Sequence, residues 1–579
     1  MSIAGDLERA RHLALAADET TAKELLLSLM PQIEVADRDD LMLEVLAQLG
    51  ELYLVRTAYD GVREGSRRIR ECLAIYSSIL DGTATPEIVA KNTMATAAVR
   101  HMVCRYLRRA QFLDTGLAAA LGDHEGAEAA LATLDDMASD DPAFADLTDE
   151  HEYLCTYARI ACATALCDDD MHVRSVPLWQ SVISAIDQPA GGGESADNLR
   201  VLGGLGYARF CIETGRLSEA EPWLLRAGAR AEARGWELAT ARTLLERATA
   251  IWSTGDQMTT ERLVNEAYPV IAKYARAHDV SRCWLYFGLT RMAAGGLQVA
   301  DECWEHAERH WREIEKPLHI HRILLQRSWI AIFRGRYQAA IDMVEQARAC
   351  LDSWPRSSWV AYARLDDHLG TVWRADALAD LGFDGAGDPD EDWSAAEARY
   401  RASLGVTNAE PGTEKYDAAM VKLARAADLK VPAALAVDSV RYAIADAEAR
   451  AQWADCVSAP LLAGAFSVGW EWENSDLIGE LIEYHSARGT FSAERRSADV
   501  IEWSRVATAP APISDLDQLA QVAAGPPVRN ADSVTRLGPL PPLRMDPTTG
   551  PVLARYRQLA LERYGQRVTA DETAWTTWP

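Results

Sequence analysis

The chain has 579 residues, 49% hydrophobic and 25% charged, which fits a globular protein of several structural units rather than a disordered one. Its formal net charge of −27 argues against a general nucleic-acid binder, because a phosphate backbone is engaged through a net basic face. No apolar run is long enough to span a membrane, no leader pattern opens the chain, and the ten cysteines contain no CxxC; a cytoplasmic protein whose thiols pack as small hydrophobes is expected.

Residues 1–187 read as an N-terminal helical block. "LMLEVLAQLGELYLV" (41–55) and "AAVRHMVCRYLRRAQFL" (97–113) are rich in helix formers, with apolar residues at i, i+3, i+4 and i+7. Its basic clusters at 63–71 and 100–109 read as solvated helix faces. "QPAGGGESAD" (188–197) is a loop, and the next block, 196–355, carries a repeat. "GFDGAGDPDEDW" (382–393) reads as a break that separates the repeat region from a third helical block, and the C-terminal helical block is assigned 356–505. Residues 506–579 form an extension with nine prolines between Pro510 and Pro551, ending in a helix over 551–565. The PxxP at 539–542 reads as extended linker.

The repeat has a period of 40 residues. Gly215, Gly255, Gly295 and Gly335 mark it; Ala220, Thr260, Ala300 and Ala340 follow, then Ala227, Ala267, Ala307 and Ala347, while Leu205, Leu245, Leu285 and Leu325 precede. A glycine permits the tight turn between antiparallel helices, and small residues let the second helix approach the first. The copy with Thr260 departs from the alanine column and reads as the weakest.

These columns resemble the tetratricopeptide (TPR) pattern, most closely at Trp284, Gly288, Gly295, Ala300, Trp304 and Ala307. The resemblance implies an all-α, TPR-like α-solenoid of antiparallel helix pairs. The period exceeds the family's usual ~34 residues, so either the helices are longer or the loops larger. In that family, the position of Arg242, Arg282 and Arg322 lines the concave groove. Trp252, Met292 and Trp329 lie close in register, and the set would suit an acidic or C-terminal peptide segment. The competing reading is that each arginine pairs with a neighbouring carboxylate and stiffens the array.

Catalytic signatures are missing: no phosphate loop, HExxH, GxSxG or Rossmann glycine pattern occurs, and "GGLG" (203–206) falls inside a helix. No enzyme and no cofactor are expected. Cys303, His306 and His310 have zinc-like helical spacing. The stripe Ala300, Trp304, Ala307 and Trp311 should be the buried one, leaving both histidines on a flank. Residues 423–491, with "LGPLPPLRM" (537–545) and "LARYRQLALERYG" (553–565), resemble actinobacterial TPR proteins associated with caspase-like CHAT peptidases in CATRA-type conflict systems. That likeness implies an accessory scaffold for a peptidase. A solenoid that senses a small ligand or peptide is the alternative.

Overall fold

A computed structural model describes residues 2–169, 171–187, 193–214, 216–354, 357–382, 410–440, 453–486 and 552–568. Gly215, much of both predicted interrupting loops and most of the proline-rich extension, with its PxxP, lie outside the described residues. Among the described residues there are 22 α-helices and no strand, and the fold is an all-α solenoid-type array of antiparallel helix pairs.

Two compact units divide the chain: Met1–Arg247 with Glu266–Tyr274, and Ala248–Asn265 with Ala275–Pro579. The first contains α1 (Ile3–Leu15), α2 (Glu19–Val35), α3 (Asp39–Val55), α4 (Tyr59–Leu80), α5 (Pro86–Lys91), α6 (Thr96–Ala120), α7 (His124–Asp136), α8 (Thr148–Asp168), α9 (His172–Ile186), α10 (Glu194–Glu213) and α11 (Leu217–Arg234). The division passes through α12 (Glu237–Trp252) and α13 (Gln257–Lys273), the pair that carries Thr260. The second unit continues with α14 (Ala277–Ala293), α15 (Leu297–Glu313), α16 (Pro317–Phe333), α17 (Tyr337–Ser353), α18 (Trp359–Asp380), α19 (Glu414–Ser439), α20 (Ala459–Glu471), α21 (Ser475–Ser486) and α22 (Ala554–Tyr564).

The long period comes from longer helices. From α14 to α17 every helix has 17 residues, and three-residue turns join them. Each helix is therefore about 26 Å long at 1.5 Å per residue. One residue of each turn from α11 to α17 is left-handed: Gly235, Gly255, Ala275, Gly295, Glu315 and Gly335 have φ of 69, 83, 49, 84, 53 and 65°. After Gly235, Gly295, Glu315 and Gly335 the following N–H closes a six-residue ring onto the helix just ended, as in Gly296 N to Arg291 O (2.8 Å) and Lys316 N to Trp311 O (3.0 Å). The backbone thus repeats every twenty residues, although the sequence repeats every 40. Ala17, Asp37 and Thr57 (φ 64, 50 and 58°) set the same beat in the N-terminal block, where no glycine advertises it.

The predicted columns are where the helices meet. Ala220, Thr260, Ala300, Ala340, Ala227, Ala267, Ala307 and Ala347 are all buried, as are Trp304 and Trp311. Thr260 fits this column, because its Oγ1 donates to Asp256 O at 2.9 Å. In the first unit, Leu43, Ile69, Leu113, Leu134 and Leu154 join α3, α4, α6, α7 and α8 in one core. In the second, Val360, Leu435, Leu462, Leu481, Tyr556 and Tyr564 join α18 to α22. The last helix is therefore part of a core: Tyr564 donates to Asp366 Oδ2 at 2.6 Å, and Leu553 N to Glu480 Oε2 at 2.8 Å.

The cluster at 100–109 is not simply a solvated face, since Arg108 and Arg109 are buried. Arg108 donates to Met137 O, and Arg109 to Glu44 and Glu51. Arg67 and Arg68 do face solvent and pair with Glu64 on their own helix.

Candidate functional site

Arg242, Arg282 and Arg322 occupy the sixth position of α12, α14 and α16. Each is half-buried, and each is engaged with neighbouring groups. Arg242 falls in the first unit, Arg282 and Arg322 in the second. Of the apolar positions in register, Trp252 is 2% exposed and Met292 4%, which makes both packing residues. Trp329 is half-buried, stacked on Phe333 (5.8 Å between centroids) and edge-on to His368 (4.9 Å).

The surroundings of Arg322 and Trp329 are polar but enclosed. His321 donates Nδ1–H to Ala347 O (3.1 Å), and burial pushes its pKa down to about 4. His368 Nε2 lies 2.6 Å from Ser328 Oγ; burial, with Lys430 nearby, pushes it down to about 3. Both imidazoles are therefore neutral near neutrality. Lys430 donates to Asp367 Oδ1 (2.7 Å) and Thr371 Oγ1 (2.9 Å). One turn further along α16, Arg327 spans to α15 by donating to Asp301 and Glu308, both at 2.7 Å. Arginine–carboxylate pairing between helices is thus present in these repeats beside the arginine column.

The histidine set read from the sequence does not assemble. Cys303 is buried, His306 is exposed and stacked on Trp284 at 5.1 Å, and His310 is half-buried edge-on to Trp311 at 5.0 Å. Among the described residues, the one grouping of three possible ligand atoms within 4.8 Å is Cys167, His172 and Glu213. Its members come from the end of α8, the start of α9 and the end of α10, so no helical period links them. The run "CDDDMH" (167–172) was its only local sign in the sequence.

Around this group the polar contacts are dense. His172 Nε2 lies 3.0 Å from Glu213 Oε2, while Glu213 Oε1 accepts from Arg209 Nε at 2.7 Å. Arg209 also meets Asp168 Oδ1 at 2.7 Å. Burial alone would raise the Glu213 pKa, but Arg209 and His172 hold it well below the usual carboxylate range. Burial and the charge of Glu213 push the Cys167 thiol up. Beside them, His124 and Asp169 form a buried pair at 2.9 Å. The "GGLG" glycines of α10 pack within this helical region: a Cβ on Gly206 would stand 2.5 Å from Trp179, and one on Gly204 3.3 Å from Ala227.

Compared with known proteins, the chain matches no family model, and no curated protein is significantly similar to it. Among the described residues, no helix is long and apolar enough to cross a membrane.

Proposed function

We propose that this protein is a non-catalytic scaffold or adaptor of the cytoplasm that holds a protein or peptide partner along the first helices of its repeats. The observation that carries the reading is the recurrence of a half-buried arginine at the sixth position of α14 and α16, matched by Arg242 in α12. A repeat that returns one cation to one helical position suits a partner segment whose carboxylates recur along an extended chain. Half-burial supports the same reading, because a partly desolvated guanidinium bonds a carboxylate more strongly than a fully hydrated one. In a chain of net charge −27, such a column would also select acidic segments against the background repulsion.

The likeness of the C-terminal third to TPR proteins associated with CHAT caspase-like peptidases makes such a peptidase the proposed partner, within a bacterial conflict system. The test is affinity purification of the full chain from its native cytoplasm, followed by mass spectrometry. A stoichiometric peptidase is the expected result. Recovery of the chain alone with a bound small molecule would favour the sensor instead. The doubly substituted Arg282→Glu, Arg322→Glu chain should lose the partner by a factor of ten or more, and unchanged affinity would remove the arginine column from the interface.

A further inference from the structure

We propose that Cys167, His172 and Glu213 form a binding site for a divalent cation of the zinc class, which ties together the ends of α8, α9 and α10. This is independent of the scaffold reading. A thiol, an imidazole and a carboxylate are the donor set that zinc and its neighbours prefer, whereas calcium and magnesium take oxygen alone. The three ligand atoms already lie within 4.8 Å of one another. Cys167 is 4% exposed and His172 1%, so a cation here would be shielded from bulk water on that side. The Glu213 side chain, 15% exposed, marks the side from which it would enter.

The supporting contacts favour a metal ligand role for each donor. Arg209 takes Glu213 Oε1, which fixes the carboxylate and turns Oε2 toward His172. Arg209 also shares its single charge with Asp168, so Glu213 keeps negative character toward the imidazole and the thiol. Near the sulfur, Trp179 is buried at 1% exposure, and its Nε1–H finds no acceptor of normal geometry. A metal-bound thiolate would accept that N–H. Cys167 Sγ, as a thiol, donates to Ser175 Oγ at 3.5 Å, and Ser175 donates to His172 O at 2.6 Å. On binding, the sulfur–metal bond forms, the S–H proton leaves to solvent, and no oxidant or reductant is needed.

The experiment uses the full chain titrated with Co²⁺ as a spectroscopic substitute for zinc. A stoichiometric thiolate-to-cobalt charge-transfer band in the near ultraviolet is expected. The band should vanish in Cys167→Ser, and affinity should fall roughly tenfold or more in His172→Gln. Failure of the wild-type chain to retain Co²⁺ or Zn²⁺ after dialysis overturns the site, as does a band that survives in Cys167→Ser. If Cys167→Ser does not fold, alkylation mapping of the wild-type chain decides. Metal must then slow labelling of Cys167 but not of the remaining cysteines, and equal labelling of Cys167 with and without metal overturns the proposal.

Discussion

Ala275 and Glu315 hold left-handed conformations at turns where the equivalent residues 255, 295 and 335 are glycines. A Cβ in that region costs about 1 kcal/mol or more, and glycine avoids the cost at some loss of chain entropy. Ala275→Gly and Glu315→Gly should therefore each stabilise the fold by about 0.5–1 kcal/mol, and Gly295→Ala should destabilise it by about 1 kcal/mol. Denaturant unfolding at fixed m-value checks the sign. Gly288 is constrained differently. A Cβ there would stand 2.2 Å from Trp304 Nε1, whose N–H donates to Leu285 O at 3.1 Å. Gly288→Ala must displace a fully buried indole and its hydrogen bond, so a loss of roughly 1–3 kcal/mol is expected in the same measurement. Weak destabilisation would mean that Trp304 is not locked.

Between elements, a buried ion-pair network ties α3 to α6. Arg109 is 2% exposed and faces Glu44 at 2.8 Å, with Arg11 and Arg105 joining the same carboxylate. Burial alone would raise the Glu44 pKa, yet the three arginines hold it well below the usual carboxylate range. Arg109→Met leaves Glu44 buried without its main partner and should cost about 3–5 kcal/mol, whereas adding Glu44→Leu should restore much of that loss. A thermal double-mutant cycle measures the difference. This tie also shows what the sequence conceals. Glu44 and Arg109 stand 65 residues apart, and arginines at 100–109 look like a surface cluster because only packing tells buried cations from exposed ones. The helix pairs of 196–355 were legible because alternate turns use glycine and the facing residues are small. The same twenty-residue beat in the N-terminal block was not, because Ala17, Asp37 and Thr57 adopt glycine's conformation without its signature. The arginine column was legible as spacing, but the burial of Trp252 and Met292 beside it was not. Cys167, His172 and Glu213 meet at three helix ends, a juxtaposition that no helical period encodes.

At the scale of the whole molecule, α16 and α18 of the second unit should respond to acid differently from α3 and α6 of the first. In the second, His321 and His368 are buried and neutral, with pKa values near 4 and 3, below the ordinary ~6.5 of an unfolded chain. The unfolded state therefore binds more protons than the native state as pH falls from ~6.5 toward 4, so stability is full above that window and declines within it. At pH 5 the loss should be about 1–2 kcal/mol per histidine. In the first unit, burial and Arg108 also hold the His151 imidazole of α8 below its ordinary value, but at α3 the depressed group is the Glu44 carboxylate, whose contribution is full above the unfolded value of ~4.3 and is lost only as pH falls below it. Hydrogen exchange, corrected for its intrinsic pH dependence, should thus show α16 and α18 losing protection between pH 6.5 and 5 while α3 and α6 keep theirs. His368→Phe removes the bond to Ser328 and lowers stability at pH 7, but it also removes one titrating group, so the slope of stability against pH in α16 and α18 should flatten. A slope unchanged in that variant would assign the acid response to other groups, and simultaneous loss of protection in α3 and α6 would reject the assignment of the response to His321 and His368.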